Sequence, residues 1–233
     1  MRSCLYITYM CTPDNSILQK LVLGSSKKTQ IKISNTPLLI NKWRHLLTDL
    51  LIRKVLSQEL NMRFNSIKIN TNNFGKPELV NKKREFNISH SNNIIVLATD
   101  DLPVGVDVEY IQPLNDLEEL IMQFTQEEQD EYYKRSTNER INLFYELWTL
   151  KESYLKATGK GLNCSLQSFN IRATEDKVIL SSGIDSDAAW YFQRYMFNEQ
   201  YKCALCSRHQ EFPREALSIE AHDLLNLKPA PES

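Results

Sequence analysis

Two carboxylates lie close together in residues 104–110, which read VGVDVEY. The alternation is typical of a β-strand with one buried face, so Asp107 and Glu109 project from the same side with Cα atoms about 7 Å apart. Carboxylates at this spacing could share a hard cation such as Mg²⁺, and Gly105 on their side leaves room for a ligand or a neighbouring backbone. The solvated face of an edge strand is the alternative interpretation.

A second charged pair lies in the segment from Glu139 to Thr158, where apolar residues recur at helical spacing. This periodicity and the following Gly159 predict a long helix. Glu152 and Lys156 are one turn apart on it, with apolar residues on both sides, which favours a groove. Such a pair could serve a metal-bound phosphate whose leaving group needs a cation. A surface ion pair, worth less than about half a kcal/mol, is the alternative.

Two short polar segments could contact an anionic ligand. The sequence FNISHS at 86–91 places Ser89 and His90 in a turn at the end of a strand, where binding residues are common. No G-x-S-x-G elbow surrounds Ser89, which argues against an acyl-transfer nucleophile. Gly75-Lys76-Pro77 forms a stiff turn with a cation at its tip, although such a turn, read alone, is usually only solvated.

Strands and helices recur in a similar order in the two halves of the chain. The first half has one predicted helix at Trp43–Leu60 and predicted strands at Leu5–Tyr9, Ile67–Ile69, Phe86–Ile88 and Ile94–Thr99. The second half has the long helix described above and another helix, opened by a capping box at Thr125–Glu128. Its predicted strands are Val104–Tyr110, Ser168–Ile171, Trp190–Met196 and Lys202–Cys206. We therefore expect an α+β protein of two similar lobes, each a small, mainly antiparallel sheet packed on a long helix. The break at Asp100–Pro103 puts the N-terminal lobe at 1–103 and the C-terminal lobe at 104–233.

Composition excludes several functional classes. The chain has 233 residues, of which 42% are hydrophobic and 24% charged, as in soluble globular proteins. Its net charge of −1 offers no basic field for nucleic acid, and no apolar run approaches the length of about 18 residues that spans a membrane. Five cysteines without framework spacing favour a reducing cytoplasm over a disulfide scaffold. Cys203 and Cys206 face opposite sides of a predicted strand, so we interpret them as core residues rather than a metal or redox pair.

The ordered set of these segments resembles the 4′-phosphopantetheinyl transferase superfamily, in particular the broad-specificity type that serves surfactin and gramicidin synthetases. The match consists of FGKP at 74–77, FNISHS at 86–91, GVDVE at 105–109, WTLKESYLK at 148–156, GKGL at 159–162 and YKCA at 201–204. It covers nearly the whole chain. Each motif alone is weak, whereas the ordered set with near-family spacing is specific.

The resemblance implies a monomer whose two lobes are related by a pseudo-two-fold axis, with coenzyme A in the cleft between them. It implies that Asp107, Glu109 and Glu152 hold Mg²⁺ and that Lys156 assists the leaving phosphate. Glu152 is also the general base that we favour, and a metal-bound water that relays the proton is the alternative.

Six positions match residues that line the coenzyme pocket in the family: Arg44, Gly75, Lys76, Pro77, Ser89 and His90. One stretch departs from the family pattern, because the basic and aromatic run that usually precedes Arg44 is absent here. Lys28, Lys32 and Lys42 are therefore candidates, not assignments, for contacts to the 3′-phosphate.

The implied activity is transfer of 4′-phosphopantetheine from coenzyme A to a serine of an acyl or peptidyl carrier protein, with release of 3′,5′-ADP, as in nonribosomal peptide and antibiotic biosynthesis. Carrier docking is expected at Gln112–Phe124, and ordinary core of the second lobe is an equal alternative for that segment. Two other functions stay open: a magnesium-dependent hydrolase of nucleotide pyrophosphates, and a non-catalytic module that binds coenzyme A or a carrier.

Overall fold

The computed structural model describes residues 3–80, 83–160, 164–181 and 189–227. In chain order the elements of the first half are β1 (Cys4–Tyr9), α1 (Asn15–Val22), α2 (Lys27–Ser34), α3 (Leu39–Glu59), β2 (Ile69–Thr71), β3 (Pro77–Leu79), β4 (Glu85–Ser91) and β5 (Ile94–Asp100). Those of the second half are β6 (Val104–Tyr110), α4 (Leu117–Ile121), α5 (Gln126–Lys134), α6 (Thr137–Thr158), β7 (Asn170–Ala173), β8 (Val178–Ser181), β9 (Tyr191–Tyr195), β10 (Tyr201–Ser207), β11 (Leu217–Ser218) and α7 (Ala221–Leu225). Within these described ranges no helix is both long and apolar enough to cross a bilayer.

The two halves repeat one topology. The first sheet has the strand order β11-β1-β5-β4 and the second the order β6-β10-β9, and each half adds a two-stranded hairpin, β2-β3 or β7-β8. In both halves the first strand, β1 or β6, precedes the long helix. Two later strands, β4 and β5 or β9 and β10, pair with each other, and the later of the two lies in the interior of its sheet. All pairings are antiparallel except the parallel pair β1–β11. The prediction of two similar α+β lobes with small, mainly antiparallel sheets is confirmed.

The core between the lobes is built by the alternating residues of the central strands. Leu5, Ile7, Val96 and Ala98 of the first sheet pack in one apolar cluster with Val104, Val106, Val108, Cys203 and Leu205 of the second. Each sheet then has an outer face for a helix. Leucines of α3 cover the first, and Leu150, Tyr154 and Ala157 of α6 cover the second together with Cys206. Cys203 and Cys206 therefore lie in different clusters, and the interpretation of both as core residues is confirmed.

Sequence signals at the helix ends and helical periodicity predicted both long helices. Helix α6 begins after a Ser136–Glu139 capping box and ends at Gly159, whose φ of 70° is left-handed. The capping box that opens α5, Thr125 with Glu128, is also present. Helix α3 starts at Leu39, four residues before the predicted start. Gly161 and Leu162, which complete the GKGL motif, lie outside the described residues.

Three sequence-based assignments are corrected. Ser89 and His90 do not form a turn: they belong to β4, opposite Val96 and Ile95, and the chain turns at Asn92, whose φ is 48°. The strand expected at Ile67–Ile69 begins only at Ile69. The third correction concerns the range 104–233, because its end returns to the first lobe. Strand β11 pairs with β1, and Ala221 and Leu224 of α7 join the core under α3, which covers an edge strand that would otherwise be open.

Candidate active site

The outer face of β6 lies unusually close to α6. A Cβ atom on Gly105 would be 2.0 Å from the carbonyl oxygen of Ser153 and 2.3 Å from the backbone nitrogen of Ala157. Because only a glycine permits this approach, the helix backbone rests directly on the strand. The side chains that flank this contact, Glu152 and Lys156, are thereby brought beside the carboxylates of β6.

Asp107 is the centre of the polar cluster that results. It is 2% exposed, and its Oδ1 accepts hydrogen bonds from Lys156 Nζ at 2.5 Å and from the hydroxyl of Ser89 at 2.9 Å. Lys156 also donates to Ser89 Oγ at 3.1 Å. The cation of α6 thus pairs with the strand carboxylate, and the surface ion pair with Glu152 is not the arrangement found.

Two further carboxyl groups lie near Asp107. Glu109 accepts a hydrogen bond from the hydroxyl of Ser91 at 2.8 Å, and burial together with the charge of Asp107 raises its pKa to about 7. The pKa of Glu152 is also raised, first by burial and then by Asp107. The cluster therefore holds more negative charge than its protein partners neutralise.

A magnesium ion was expected on Asp107, Glu109 and Glu152. Over the described parts of the chain, no three His, Cys, Asp or Glu side chains come close enough to hold a metal ion together. Nevertheless these residues fit a hard cation, because Oδ2 of Asp107 is buried without a hydrogen-bond partner and the other two carboxyl groups are under-compensated. An all-oxygen donor set of this kind suits Mg²⁺ rather than a softer metal.

A cavity of about 330 Å³ opens beside this cluster. Its walls include Gly75, Lys76 and Pro77 from one lobe and Glu152 and Lys156 from the other. Five predicted site residues therefore meet around one space. Ser89 lies behind it, bound to Asp107.

Lys76 is not the solvated cation that its turn suggested. Its ammonium donates to the carbonyl oxygen of Val104 at 3.1 Å and to that of Ala157 at 3.4 Å, and burial lowers its pKa. It therefore ties the turn after β2 to the start of β6 and the end of α6. Gly75 supplies the required positive φ of 88°.

A cationic cluster lies at the other end of β4. Arg44 donates to the carbonyl oxygen of Asn92 at 3.1 Å, which ties α3 to the β4–β5 turn. His90 is open to solvent on one side, yet partial burial and the charge of Arg44 lower its pKa. Burial, Lys32 and then His90 lower the pKa of His45 to about 4. Mutual repulsion of this kind favours binding of an anion. Of the other candidates, Lys28 is exposed on α2 and Lys42 half-buried on α3.

Sequence reasoning missed two polar residues of this site. Asn87 Oδ1 accepts from the backbone nitrogen of Val106 at 2.9 Å, and Ser91 Oγ accepts from that of Tyr110 at 3.0 Å. With Ser89 they form a row that joins β4 to β6 across the lobes. The spacing of two in FNISHS is the signal that would have revealed it, since alternate residues of a strand share a face.

The segment expected to dock a carrier is core only in part. Ile121 and Phe124 are fully buried beneath α6, and of the large apolar residues at 112–124 only Met122 is strongly exposed. Helix α4 presents Glu118 and Glu119 to solvent. The buried residues of the segment belong to the core, and carrier docking on its exposed residues stays a prediction.

Comparisons with known proteins agree with the motifs. A family model described as 4′-phosphopantetheinyl transferase superfamily matches residues 103–206, and one described as 4′-phosphopantetheinyl transferase, N-terminal, matches residues 26–102. The chain is 33% identical over 183 residues to 4′-phosphopantetheinyl transferase Sfp of Bacillus subtilis (strain 168), covering 78% of this chain and 81% of that protein. It is 32% identical over 215 residues to 4′-phosphopantetheinyl transferase gsp of Aneurinibacillus migulanus, covering 92% and 90% of the two chains. The chain belongs to the 4′-phosphopantetheinyl transferase superfamily.

Proposed function

We propose that this phosphopantetheinyl transferase moves the 4′-phosphopantetheine arm of coenzyme A onto a serine of acyl and peptidyl carrier proteins, including those of nonribosomal peptide synthetases, and releases 3′,5′-ADP. The observation that carries the proposal is the Asp107–Lys156–Ser89 cluster with a buried, unpartnered carboxylate oxygen beside a cavity between the lobes. A bound cation would neutralise the carboxylates, and together with Lys156 it would balance the negative charge of a pyrophosphate diester.

Asp107, Glu109 and Glu152 would hold the magnesium ion. When bound, Mg²⁺ neutralises charge on the pyrophosphate oxygens. The protein's own contribution is to hold three carboxylates on two rigid elements, with Ser91 orienting Glu109 and Ser89 orienting Asp107. Rigid support of this kind keeps the substrate phosphate in line with the attacking hydroxyl.

Lys156 and Glu152 would handle the protons and charge of the reaction. The side chain of Lys156 is 27% exposed and lines the cavity of about 330 Å³ between the lobes, which we call the nucleotide cavity. Its ammonium can therefore stabilise the phosphate that leaves as 3′,5′-ADP. Glu152 lines the same cavity one turn away and can accept the proton of the carrier serine. Attack on the phosphorus that bears the pantetheine arm breaks its bond to the bridging oxygen.

The remaining coenzyme contacts would come from the first lobe. Gly75, Lys76 and Pro77 would border the nucleoside, since they form the wall of the nucleotide cavity. Arg44 and His90 would hold the 3′-phosphate, because they lie in the cationic cluster at the far end of β4. Lys32 is the strongest of the three lysine candidates, since its charge reaches both histidines.

We also propose a cytoplasmic monomer whose lobes divide near residue 103, with β11 and α7 completing the first lobe. Among the described residues no two cysteines form a disulfide, which suits a reducing compartment. Both lobes of one chain line the nucleotide cavity, so the proposed site needs no second copy.

The test is incubation of the protein with coenzyme A, Mg²⁺ and an apo peptidyl carrier domain, followed by mass spectrometry of the carrier. We expect the carrier to gain phosphopantetheine with the wild type and with Glu199→Gln, an exposed control in the turn between β9 and β10. We expect Asp107→Asn to remain folded and to lose more than about 100-fold in rate. Release of 3′,5′-ADP without a carrier would instead identify a hydrolase, and coenzyme binding without either reaction a non-catalytic module.

A further inference from the structure

Positive charge is concentrated in residues 15–48. This range contains six lysine and arginine residues and no aspartate or glutamate, whereas the whole chain has a net charge of −1, so all other residues together carry −7. The first acidic residue after this range, Asp49, is 7% exposed and accepts hydrogen bonds from Thr29 and Arg53, both at 3.0 Å. The surface of α1, α2 and the start of α3 is therefore a cationic region on a chain that is otherwise acidic.

Large apolar side chains project from the same region. Leu23, Ile31 and Leu38 are 81%, 62% and 59% exposed, and they are three of the four most exposed large apolar side chains in the described chain. All three lie within residues 23–38. Exposed apolar groups that are concentrated in this way, with polar groups around them, mark a surface that contacts a partner.

One side of α2 carries both lysines and an apolar group. Lys27, Lys28, Ile31 and Lys32 are exposed, and steps of three or four residues place them on the same side of the helix. Ile33 points the other way, into the core under α3. The lysines therefore surround an apolar side chain that has no place in that core.

The chain on both sides of α2 extends this surface. The Gln30 amide donates to the carbonyl oxygens of Leu23 at 3.3 Å and Ser25 at 3.0 Å, which fixes the end of α1 beside α2. Leu38 directly precedes α3. We call the following exposed side chains together the α2 face: Leu23, Lys27, Lys28, Ile31, Lys32 and Leu38.

We infer that the α2 face binds the surface of an anionic lipid bilayer. Aliphatic side chains on such a face enter the boundary between head groups and acyl chains, while the lysines around them are attracted to the anionic head groups. The lysine side chains can keep their charge in the head-group layer while their methylene groups cover apolar surface. This contact is peripheral and involves no spanning segment.

The residue types in this region favour lipid over a protein partner. Protein–protein interfaces are enriched in aromatic residues and arginine and depleted in lysine. Within residues 15–48 the only tryptophan, tyrosine or phenylalanine is Trp43, which is fully buried. The only arginine, Arg44, already donates to Asn41 at 2.9 Å and Asn92 at 3.1 Å. The exposed groups that remain are lysines and aliphatic side chains, the combination typical of an interfacial helix.

Sedimentation with sucrose-loaded vesicles tests the inference. Vesicles of phosphatidylcholine alone are compared with vesicles that also contain phosphatidylglycerol, which is anionic. We expect the wild type to bind only the anionic vesicles, and to bind them more weakly as the NaCl concentration rises, because salt screens the lysines. Equal binding to both compositions, or binding to neither, would overturn the inference.

Two substitutions locate the contact on the α2 face. Ile31→Ser should weaken binding to the anionic vesicles by about tenfold, since its apolar surface no longer enters the bilayer. Lys27→Gln should weaken it by about fivefold through loss of one charge. The matched controls are Ile179→Ser on β8 and Lys134→Gln on α5, which change exposed residues of the second lobe and should bind as the wild type does. Equal losses in the controls would contradict the assignment to this face.

The outcomes also separate this inference from the proposed function. Lys27 and Ile31 are not expected coenzyme contacts, whereas Lys28 and Lys32 are candidates and are left unchanged. Without vesicles, both variants should therefore modify a soluble carrier as fast as the wild type. If Ile31→Ser instead raises the KM for the carrier and leaves vesicle binding intact, the α2 face contacts a protein and the inference is wrong. Failure of the wild type to modify any carrier would contradict only the proposed function, because vesicle binding is measured without coenzyme or carrier.

Discussion

The two lobes share a topology but use the outer face of the first strand differently. Tyr9 lies opposite Ile94 in the first sheet, and Tyr110 lies opposite Tyr201 in the second. Counting back from these pairs, Asp107 takes the place of Tyr6, and Glu109 that of Thr8. The same strand therefore carries neutral hydroxyls in one lobe and carboxylates in the other.

The partners of the charged groups differ as well. In the first lobe the carboxylate is on the helix: Glu59 accepts from Tyr6 at 2.8 Å, from Thr99 at 2.7 Å and from Arg84 at 2.9 Å. In the second lobe the carboxylate is on the strand, and Oδ2 of Asp107 has no partner. A saturated network stabilises a fold, whereas incompletely neutralised charge prepares a site for ligand. The repeated topology therefore carries one fully partnered carboxylate, Glu59, and one incompletely partnered carboxylate, Asp107.

The largest expected effect is at Gly105, which stands where the first lobe has Cys4. Gly105→Ala should lower the free energy of unfolding by more than about 4 kcal/mol, because the added Cβ collides with the backbone of α6. Urea denaturation measures this. Gly75→Ala is the control: its Cβ meets open space, so only the strain of a positive φ remains, about 1 kcal/mol. Equal losses for both variants would show that α6 can retreat from β6.

The second largest effect is expected at the buried ion pairs, which should contribute differently to the stability of the two lobes. Lys151→Met leaves the fully buried carboxylate of Glu128 without its cation and should lower the free energy of unfolding by about 3 kcal/mol. The double variant Lys151→Met/Glu128→Gln should regain part of that loss. Arg53→Met in α3 should lower the free energy of unfolding less, by about 1–2 kcal/mol. The side chains of that pair are 10% and 9% exposed, against 0% and 2% for Lys151 and Glu128, so water can reach Asp49. Thermal and urea unfolding of the three variants test this order. A smaller loss for Lys151→Met than for Arg53→Met would contradict it.

A smaller effect, on coenzyme A affinity, is expected for the first-lobe residues Arg44 and His90. Arg44→Ala and His90→Ala should each weaken coenzyme A binding by about tenfold or less, equivalent to about 1.4 kcal/mol. Both should bind dephospho-coenzyme A, which lacks the 3′-phosphate, nearly as the wild type does. Calorimetry with the two ligands decides. If both variants weaken the two ligands equally, neither residue contacts the 3′-phosphate, and Lys32 becomes the first alternative.

The same cluster should make stability depend on pH. The pKa of His45 is about 4 in the folded state and about 6.5 in the unfolded chain, so protonation is less favourable in the folded state. Stability should therefore be lost as pH falls from about 6.5 to about 4, at no more than about 1.4 kcal/mol per pH unit. Urea midpoints of the wild type and His45→Gln, measured at fixed ionic strength, test this. An unchanged slope in His45→Gln would assign the dependence to other groups.

Local pattern determined much of this protein. The alternation at 104–110 placed Asp107 and Glu109 on the same face of a strand, and helical periodicity with a terminal glycine placed Glu152 and Lys156 one turn apart on a long helix. The same alternation separated Cys203 from Cys206. These inferences succeed because side-chain direction depends only on the period of a strand or helix.

Tertiary structure alone decided which groups became partners. Lys156 pairs with Asp107, 49 residues away, rather than with Glu152 one turn away, and Lys76 binds a carbonyl oxygen 81 residues away. The polar row of β4, Asn87, Ser89 and Ser91, has hydrogen-bond partners only because β6 of the other lobe lies beside it. No local pattern contains such information, since the approach of α6 to β6 and the placement of the lobes set these distances.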